Sequence, residues 1–153
     1  MSWMDAYYQS LAKHNMKQCV PADCRHCKRE QEVQARTNTA IEDAKILYGE
    51  LKDTVIASVH ASFNGGSDES FVDYVHYYDK DKAEIHHDEL WRMDEQSEPW
   101  QSWSKQMEKI AWGILGHGFG NGDFSVSGTI VLDVIHGKLM RCREEVATLR
   151  GAA

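Results

Sequence analysis

The sequence predicts an α+β domain: a mainly antiparallel four-stranded sheet made of two hairpins, helices packed on one face, and an N-terminal helical extension. Three observations favour this fold class. Residues 54–79 and 124–146 alternate apolar and polar side chains with the period of two that is typical of half-buried strands. Both stretches contain a glycine turn. Apolar residues elsewhere recur at helical spacing.

Length and composition predict a single domain over residues 1–153, because 153 residues can bury a sizeable core. Residues 1–52 form its helical N-terminal part with a cysteine-rich hook, and residues 53–147 form a hairpin–helix–hairpin core. No apolar run reaches the length of a membrane span, and the first residues do not resemble a signal peptide. We therefore expect a cytoplasmic protein without a membrane partner.

Two helices are predicted in the N-terminal third. Residues 2–17 carry Trp3, Tyr7 and Leu11 at helical spacing. Residues 28–53 carry a longer apolar stripe, which indicates a helix that faces the core. The stripe is also nearly heptad, so a helical partner or a homodimer contact remains an alternative interpretation. The stripe consists of Val33, Thr37, Ala40, Ala44, Leu47 and Leu51.

The first hairpin is predicted over residues 54–79, around a turn at residues 64–68 that is rich in glycine. Its first strand places five apolar residues on one face: Val55, Ala57, Val59, Ala61 and Phe63. Its second strand alternates one set, Phe71, Asp73, Val75 and Tyr77, with another, Val72, Tyr74, His76 and Tyr78. The acidic stretch that follows, residues 79–98, is expected to be a solvated connection.

A third helix is predicted to begin at residues 97–99, where Ser, Glu and Pro form a capping signal, and to end at Gly116 or Gly118. The glycine-rich loop after it lacks the GK[ST] ending of a phosphate-binding loop and precedes a strand. The second hairpin turns at His136-Gly137. Its return strand, residues 138–146, is expected to point Met140, Cys142 and Val146 inward.

The densest cluster of soft metal ligands lies in residues 14–27, which contain three cysteines and two histidines. Cys24 and Cys27 have the CxxC spacing with which two thiolates reach one tetrahedral ion, and Cys19 supplies a third ligand. His14, His26 and Cys142 compete for the fourth position. We predict a structural zinc site formed by one set: His14, Cys19, Cys24 and Cys27.

Three other interpretations of the cysteines stay open. Cys24 and Cys27 are free thiols, as a reducing cytosol would allow, or they form a redox pair, although no thioredoxin-like βαβ pattern surrounds them. A disulfide is the third interpretation, which the absence of a secretion signal disfavours.

Negative charge is concentrated in the middle of the chain. Residues 66–99 hold eleven acidic and three basic residues, a formal charge of −8, so the rest of the chain carries +1 and the whole chain −7. Such an acidic belt disfavours direct contact with nucleic-acid phosphates and favours a protein partner with a basic surface. Its predicted binding residues are Asp68, Glu69, Asp73, Asp79, Asp81, Asp88 and Glu89.

Two segments, FNGGSDESFV at residues 63–72 and WGILGHGFGNGDFSVSGTIVLDV at residues 112–134, resemble an uncharacterised domain family of bacterial, plasmid and phage proteins. The resemblance covers residues 53–145 and leaves out the cysteine-rich third. It implies the hairpin–helix–hairpin architecture and an origin in a mobile element. The family has no assigned activity to carry over.

The sequence favours one function and leaves two alternatives. The first is a small acidic accessory or inhibitor protein that occupies a host nucleic-acid-handling enzyme by imitating phosphates. The second is a zinc-stabilised regulatory module that binds protein or nucleic acid. The third is a metal-dependent hydrolase or nuclease using Asp68, Glu69 and Asp73 with His60 or His76. No catalytic set is evident, so a protein that is not an enzyme is favoured.

Overall fold

We analysed a computed structural model of the chain. It describes residues 3–20, 22–66, 69–86, 88–90, 99–116 and 126–150. The helices are α1 (Trp3–Asn15), α2 (Arg25–Leu51) and α3 (Pro99–Leu115). The strands are β1 (Ser58–Gly66), β2 (Glu69–Tyr78), β3 (Val126–Asp133), β4 (Lys138–Arg141) and β5 (Glu144–Thr148). The predicted α+β class with an antiparallel sheet is therefore confirmed.

The chain divides into two compact units, residues 1–37 and residues 38–153. The first unit contains α1 and the first half of α2. The second contains the rest of α2, α3 and the whole sheet. The single domain with parts 1–52 and 53–147 stays a prediction. None of the described helices combines the length and the apolar character that crossing a membrane requires.

The sheet is antiparallel throughout, with strand order β2-β1-β3-β4-β5. Val59 of β1 lies opposite both Tyr77 of β2 and Leu132 of β3, and Leu132 lies opposite Leu139 of β4. These four side chains are buried on the same face of the sheet. That face belongs to one core cluster with α2 and α3, as expected from helices packed on one face of the sheet.

The α2 stripe confirms the periodicity of the sequence in its C-terminal half. Ala40, Ala44, Leu47 and Leu51 are buried, whereas Val33 is exposed. The third helix also agrees with the prediction, because α3 ends at Leu115 and Gly116 adopts a φ of 77°, the left-handed conformation of a glycine C-cap. Of the predicted cap, Ser97 and Glu98 lie outside the described residues.

The first hairpin departs from the predicted alternation at a β-bulge. The pairing moves from Ser62–Tyr74 to Phe63–Val72, so Asp73 has no partner on β1. The extra residue turns Val72 toward the core and leaves Phe71 exposed, although the predicted alternation put Phe71, and not Val72, in the same set as the buried Tyr77. Val55 is exposed as well, because β1 begins only at Ser58.

The C-terminal part contains two strands where the sequence predicted one, so the sheet has five strands and not four. A tight turn at Cys142, which has a φ of 56°, separates β4 from β5. The prediction that Met140 and Cys142 point inward is wrong. The register with β3 buries Leu139, while Met140 is half-buried opposite Val131 and Cys142 is exposed. Val146 does pack against the core.

We expect the mutation Leu47→Ala to lower the free energy of unfolding by about 2–5 kcal/mol, because Leu47 has no exposed surface and its truncation leaves a cavity. Ile46→Ala is the matched control on the same helix. Ile46 is 60% exposed, so its truncation is expected to change stability by about 0.5 kcal/mol or less. Urea unfolding followed by tryptophan fluorescence measures both. Equal losses in the two variants would contradict the described burial of α2.

Candidate metal site

The candidate site lies in the first unit, between the end of α1 and the start of α2. The segment after α1 reverses the chain through Lys17, which has a φ of 57°. Lys17 N–H donates to the His14 carbonyl at 3.0 Å, and Gln18 N–H donates to the Lys13 carbonyl at 2.8 Å. This is the bond pattern of a Schellman motif, with lysine where glycine is usual. The reversal brings Cys19 back toward His14.

The other two cysteines are placed by the start of α2. Cys24 N–H donates to the Val20 carbonyl at 2.9 Å, which closes a turn before the helix. The Cys24 carbonyl accepts the Lys28 N–H at 3.0 Å, so Cys24 immediately precedes the first turn of α2. Cys27 belongs to that first turn. The CxxC spacing therefore places both cysteines at one helix N-terminus, because α2 begins at Arg25 and not at residue 28 as the sequence predicted.

Four ligand atoms converge within 4.8 Å of one another, from His14, Cys19, Cys24 and Cys27. The Nδ1 atom of His14 lies 3.7 Å from the Cys19 sulfur, 3.6 Å from the Cys24 sulfur and 3.3 Å from the Cys27 sulfur. The sulfurs of Cys19 and Cys27 are 3.6 Å apart. All four cysteines of the chain are free, so no disulfide competes for these sulfurs.

These distances fit one tetrahedral ion. Zinc binds sulfur at about 2.3 Å and imidazole nitrogen at about 2.0–2.1 Å, which separates two sulfur ligands by about 3.8 Å and sulfur from nitrogen by about 3.5 Å. The three nitrogen–sulfur distances and the distance between the Cys19 and Cys27 sulfurs lie close to these values. His14, Cys19, Cys24 and Cys27 can therefore bind a metal ion such as zinc, and they are the four residues that the sequence predicted.

Glu30 supplies an outer contact to the site that sequence reasoning missed. Its Oε1 atom lies 2.7 Å from Nε2 of His14, the ring nitrogen that faces away from the cysteines. A carboxylate at this position holds the proton on Nε2 and leaves the Nδ1 lone pair free for a metal. The only sequence signal for Glu30 is its place one helical turn after Cys27 on α2.

Without a metal, the surroundings of the cluster shift the pKa values of the two CxxC thiols in opposite directions. The backbone N–H of Cys27 is the main cause that lowers the pKa of Cys24 to about 7. Burial is the main cause that raises the pKa of Cys27 to about 12. The hydrogen bond to Glu30 raises the pKa of His14 to about 9. A bound dication deprotonates coordinating thiols and imidazole, so metal binding would release protons and weaken as pH falls.

The other two residues considered as a fourth ligand do not belong to the cluster. Nε2 of His26 lies 3.0 Å from the Ser10 hydroxyl, and its ring stands edge-on to Tyr7 at 5.4 Å. The Arg25 guanidinium lies over the same Tyr7 ring at 4.3 Å. These contacts fasten α2 to α1 beside the cluster. Cys142 is an exposed residue of the second unit.

The predicted acidic residues are distributed over the second unit. Asp68 and the side chain of Glu69 lie outside the described residues. Asp73 is exposed at the β-bulge, and Asp81, Asp88 and Glu89 are also exposed. Asp79 is different, because its Oδ1 accepts the backbone N–H groups of Asp81 at 2.9 Å and of Ala83 at 3.0 Å. The carboxylate of Asp79 therefore stabilises a turn.

The two histidines of the hydrolase hypothesis lie on the sheet face opposite the core. Nδ1 of His76 lies 2.6 Å from Glu84, and Nε2 of His60 lies 3.1 Å from the Ser58 hydroxyl. Burial lowers the pKa of His60 and nearby His76 adds to this effect. Among the described residues the His14 cluster is the one group that can hold a metal ion, so the hydrolase or nuclease stays a prediction without a described metal site.

Comparisons with protein-family models, with curated proteins and with solved structures return no match for this chain. The resemblance to an uncharacterised family of bacteria, plasmids and phages therefore stays a prediction. The functional argument depends on the site itself.

We expect Glu30→Ala to weaken metal binding about 10- to 100-fold, because the mutation removes the carboxylate that orients the His14 ring. Glu32→Ala is the matched control, since Glu32 is an exposed residue of the same helix. Competition with a chromogenic zinc chelator measures both affinities. Equal affinities in the two variants would show that Glu30 does not support the site.

Proposed function

We propose that the chain is a zinc-stabilised regulatory module, in which one structural zinc ion holds residues 1–37 together for the binding of a protein or nucleic acid. The observation that carries this proposal is the convergence of one imidazole nitrogen and three sulfurs at tetrahedral separations. Four protein ligands fill the coordination shell of zinc and leave no open position for substrate. The proposed role of the metal is therefore structural.

The small core of the first unit supports a structural metal. Among residues 3–37 whose side chains are described, Cys24 is the one buried residue. The hydrophobic core of the protein begins at Ala40 and belongs to the second unit. Units of about 40 residues or fewer usually need a metal, disulfides or a partner to fold, because they bury too little apolar surface. With free cysteines, zinc is the cross-link that this unit can supply for itself.

The surface of the first unit supports a binding role. Residues 1–37 contain six basic and four acidic residues, a formal charge of +2 against −9 for residues 38–153. Five of the basic residues are exposed near the metal cluster: Lys13, Lys17, Arg25, Lys28 and Arg29. Exposed apolar side chains accompany them, among them Tyr8, Met16 and Val20. Cations mixed with exposed apolar groups suit a partner surface.

We expect native mass spectrometry of protein purified without chelators to find one zinc ion per chain. Cys24→Ser should lose the ion, because a serine hydroxyl is a poor zinc ligand. Cys142→Ser is the control and should retain it, since Cys142 is remote from the cluster in sequence and is exposed. Absence of zinc from the wild-type protein, or equal loss in both variants, would overturn the proposal.

Removal of zinc should affect the two units differently. A strong chelator is expected to abolish amide-exchange protection in residues 3–37, whose helices lack a hydrophobic core, and to preserve protection in β1 and β3. Hydrogen exchange followed by mass spectrometry on the intact chain measures this. Unchanged protection in α1 after zinc removal would contradict a structural role for the metal.

The exposure of Asp73, Asp81, Asp88 and Glu89 favours a second candidate function. We propose that the second unit can act as an acidic accessory or inhibitor that occupies a basic, nucleic-acid-binding surface of a host enzyme. Its formal charge of −9 would attract such a surface at long range. Asp79 is excluded from this set because its carboxylate already accepts two backbone N–H groups.

Phosphate imitation predicts that the protein displaces labelled duplex DNA from a basic DNA-binding protein, with a core histone as the probe. Changing Asp73, Asp81 and Asp88 to lysine should raise the protein concentration that displaces half of the DNA at least tenfold. A variant with equal net charge, in which Asp53, Glu108 and Glu144 become lysine, should stay near the wild type, because these exposed acids lie outside the belt. Equal loss in both variants would assign the effect to net charge alone.

A further inference from the structure

A cleft of about 600 Å³ lies at one end of the sheet in the second unit. Four chain segments form its walls: the end of α2, the residues that lead into β1, the turn after β2 and the turn after β3. Arg150 completes the lining. The volume falls in the range of small-molecule sites, about 300–1,000 Å³. The cleft does not include the zinc cluster, and of the exposed acids named above as a partner surface only Asp81 lines it.

The cleft combines a buried apolar floor with apolar side chains that remain open to solvent. Ile56, Ala57 and Val134 line it and are buried. Val55 and Ile135 also line it, and they are 62% and 48% exposed. Two large apolar side chains at the rim of one cleft offer contact area to an apolar ligand, and their burial by that ligand would favour binding.

Three cations line the same cleft, although the unit that contains them is strongly acidic. Lys52, Lys80 and Arg150 come from different segments of the chain. In the described part of the protein none of the three forms an ion pair. Lys45, Lys109 and Lys138 of the same unit do have acidic partners. The cleft is thus lined by three cations that form no ion pair with a described residue.

Arg150 is held in place by the backbone. Its N–H donates to the Gly137 carbonyl at 3.2 Å, and one guanidinium nitrogen donates to the Ile135 carbonyl. A guanidinium has five N–H donors, so several remain for a ligand. Lys52 follows the carbonyl end of α2, where a cation is favourable without any ligand. Lys80 and Arg150 are therefore the cations of the cleft that are available to a ligand.

The carboxylates of the cleft leave its charge positive. Asp79 and Asp81 are both in the lining. The Oδ1 atom of Asp79 accepts two backbone N–H groups of its own turn, which stabilise its charge locally. Asp81 is exposed to solvent, where its interaction with other charges is weak. The lining thus holds three cations and two carboxylates, a formal charge of +1.

We propose that this cleft binds an amphipathic anion, a ligand with a short apolar chain and a carboxylate or phosphate head group. The apolar chain contacts Val55 and Ile135, and the head group binds Lys80 and Arg150. This site does not depend on the proposed zinc or acidic-surface functions. Charge-assisted hydrogen bonds from a fixed guanidinium favour both head groups, so the carboxylate and the phosphate are distinguished by experiment.

Isothermal titration with octanoate, octyl phosphate, octanol and inorganic phosphate tests the site on the intact chain. We expect octanoate or octyl phosphate to bind at least tenfold more tightly than octanol or inorganic phosphate. The tighter of the two anions identifies the head group. Binding should weaken with added salt, because the three cations are exposed. No binding of either octyl anion, or octanol binding as tightly, would overturn the proposal.

Variants locate the binding to the cleft. Lys80→Glu and Arg150→Ala should each weaken binding of the preferred anion at least fivefold. Lys105→Ala is the control, because Lys105 is an exposed residue of α3 outside the cleft. If Arg150→Ala disturbs the turn at Gly137, Lys80→Glu still tests the site, because Lys80 lies in a different turn. Affinities of Lys80→Glu and Lys105→Ala that equal the wild type would place the ligand elsewhere and overturn the proposal.

Discussion

Burial of one face of the sheet is the constraint on which the second unit depends. Val59 on the interior strand β1 belongs to the core between Tyr77 and Leu132, and Leu139 extends the same layer to β4. Side chains alternate along a strand, so a register slip of one residue would turn this layer to solvent. The same constraint explains the position of the helices, because the apolar stripes of α2 and α3 cover the buried face of the sheet.

Among its described side chains the first unit has no comparable apolar layer, but four of its residues can bind a metal ion. Its described side chains are mostly exposed, and its contacts include a reversed helix end at Lys17, an Arg25–Tyr7 stack and a turn at Cys24. Such contacts contribute little each in water. A metal bound by residues on both sides of the reversal would stabilise all of them together. The chain thus combines a unit with a hydrophobic core and a unit suited to a metal.

The two units also differ in net charge. The first unit carries a formal charge of +2, whereas the second unit carries most of the acidic residues and a formal charge of −9. A charged partner would therefore distinguish one unit from the other before it makes any close contact. The cleft near Arg150 interrupts the acidic surface with cations, which is why it suits a ligand chemically different from a basic protein.

The sequence by itself determined the features that depend on neighbours along the chain. The α2 stripe, the glycine cap of α3 and the ligand set from His14 to Cys27 all lie within short segments, where helical period, turn preference and CxxC spacing decide the outcome. Only the tertiary structure decided the bulge at Asp73, the division of the last strand at Cys142, the contact of Glu30 with His14 and the meeting of Lys52, Lys80 and Arg150. The strand features depend on register with β1 and β3, and the two contacts join residues far apart in the chain. Local sequence patterns carry no signal for such pairings, because they are fixed by which surfaces can be buried together.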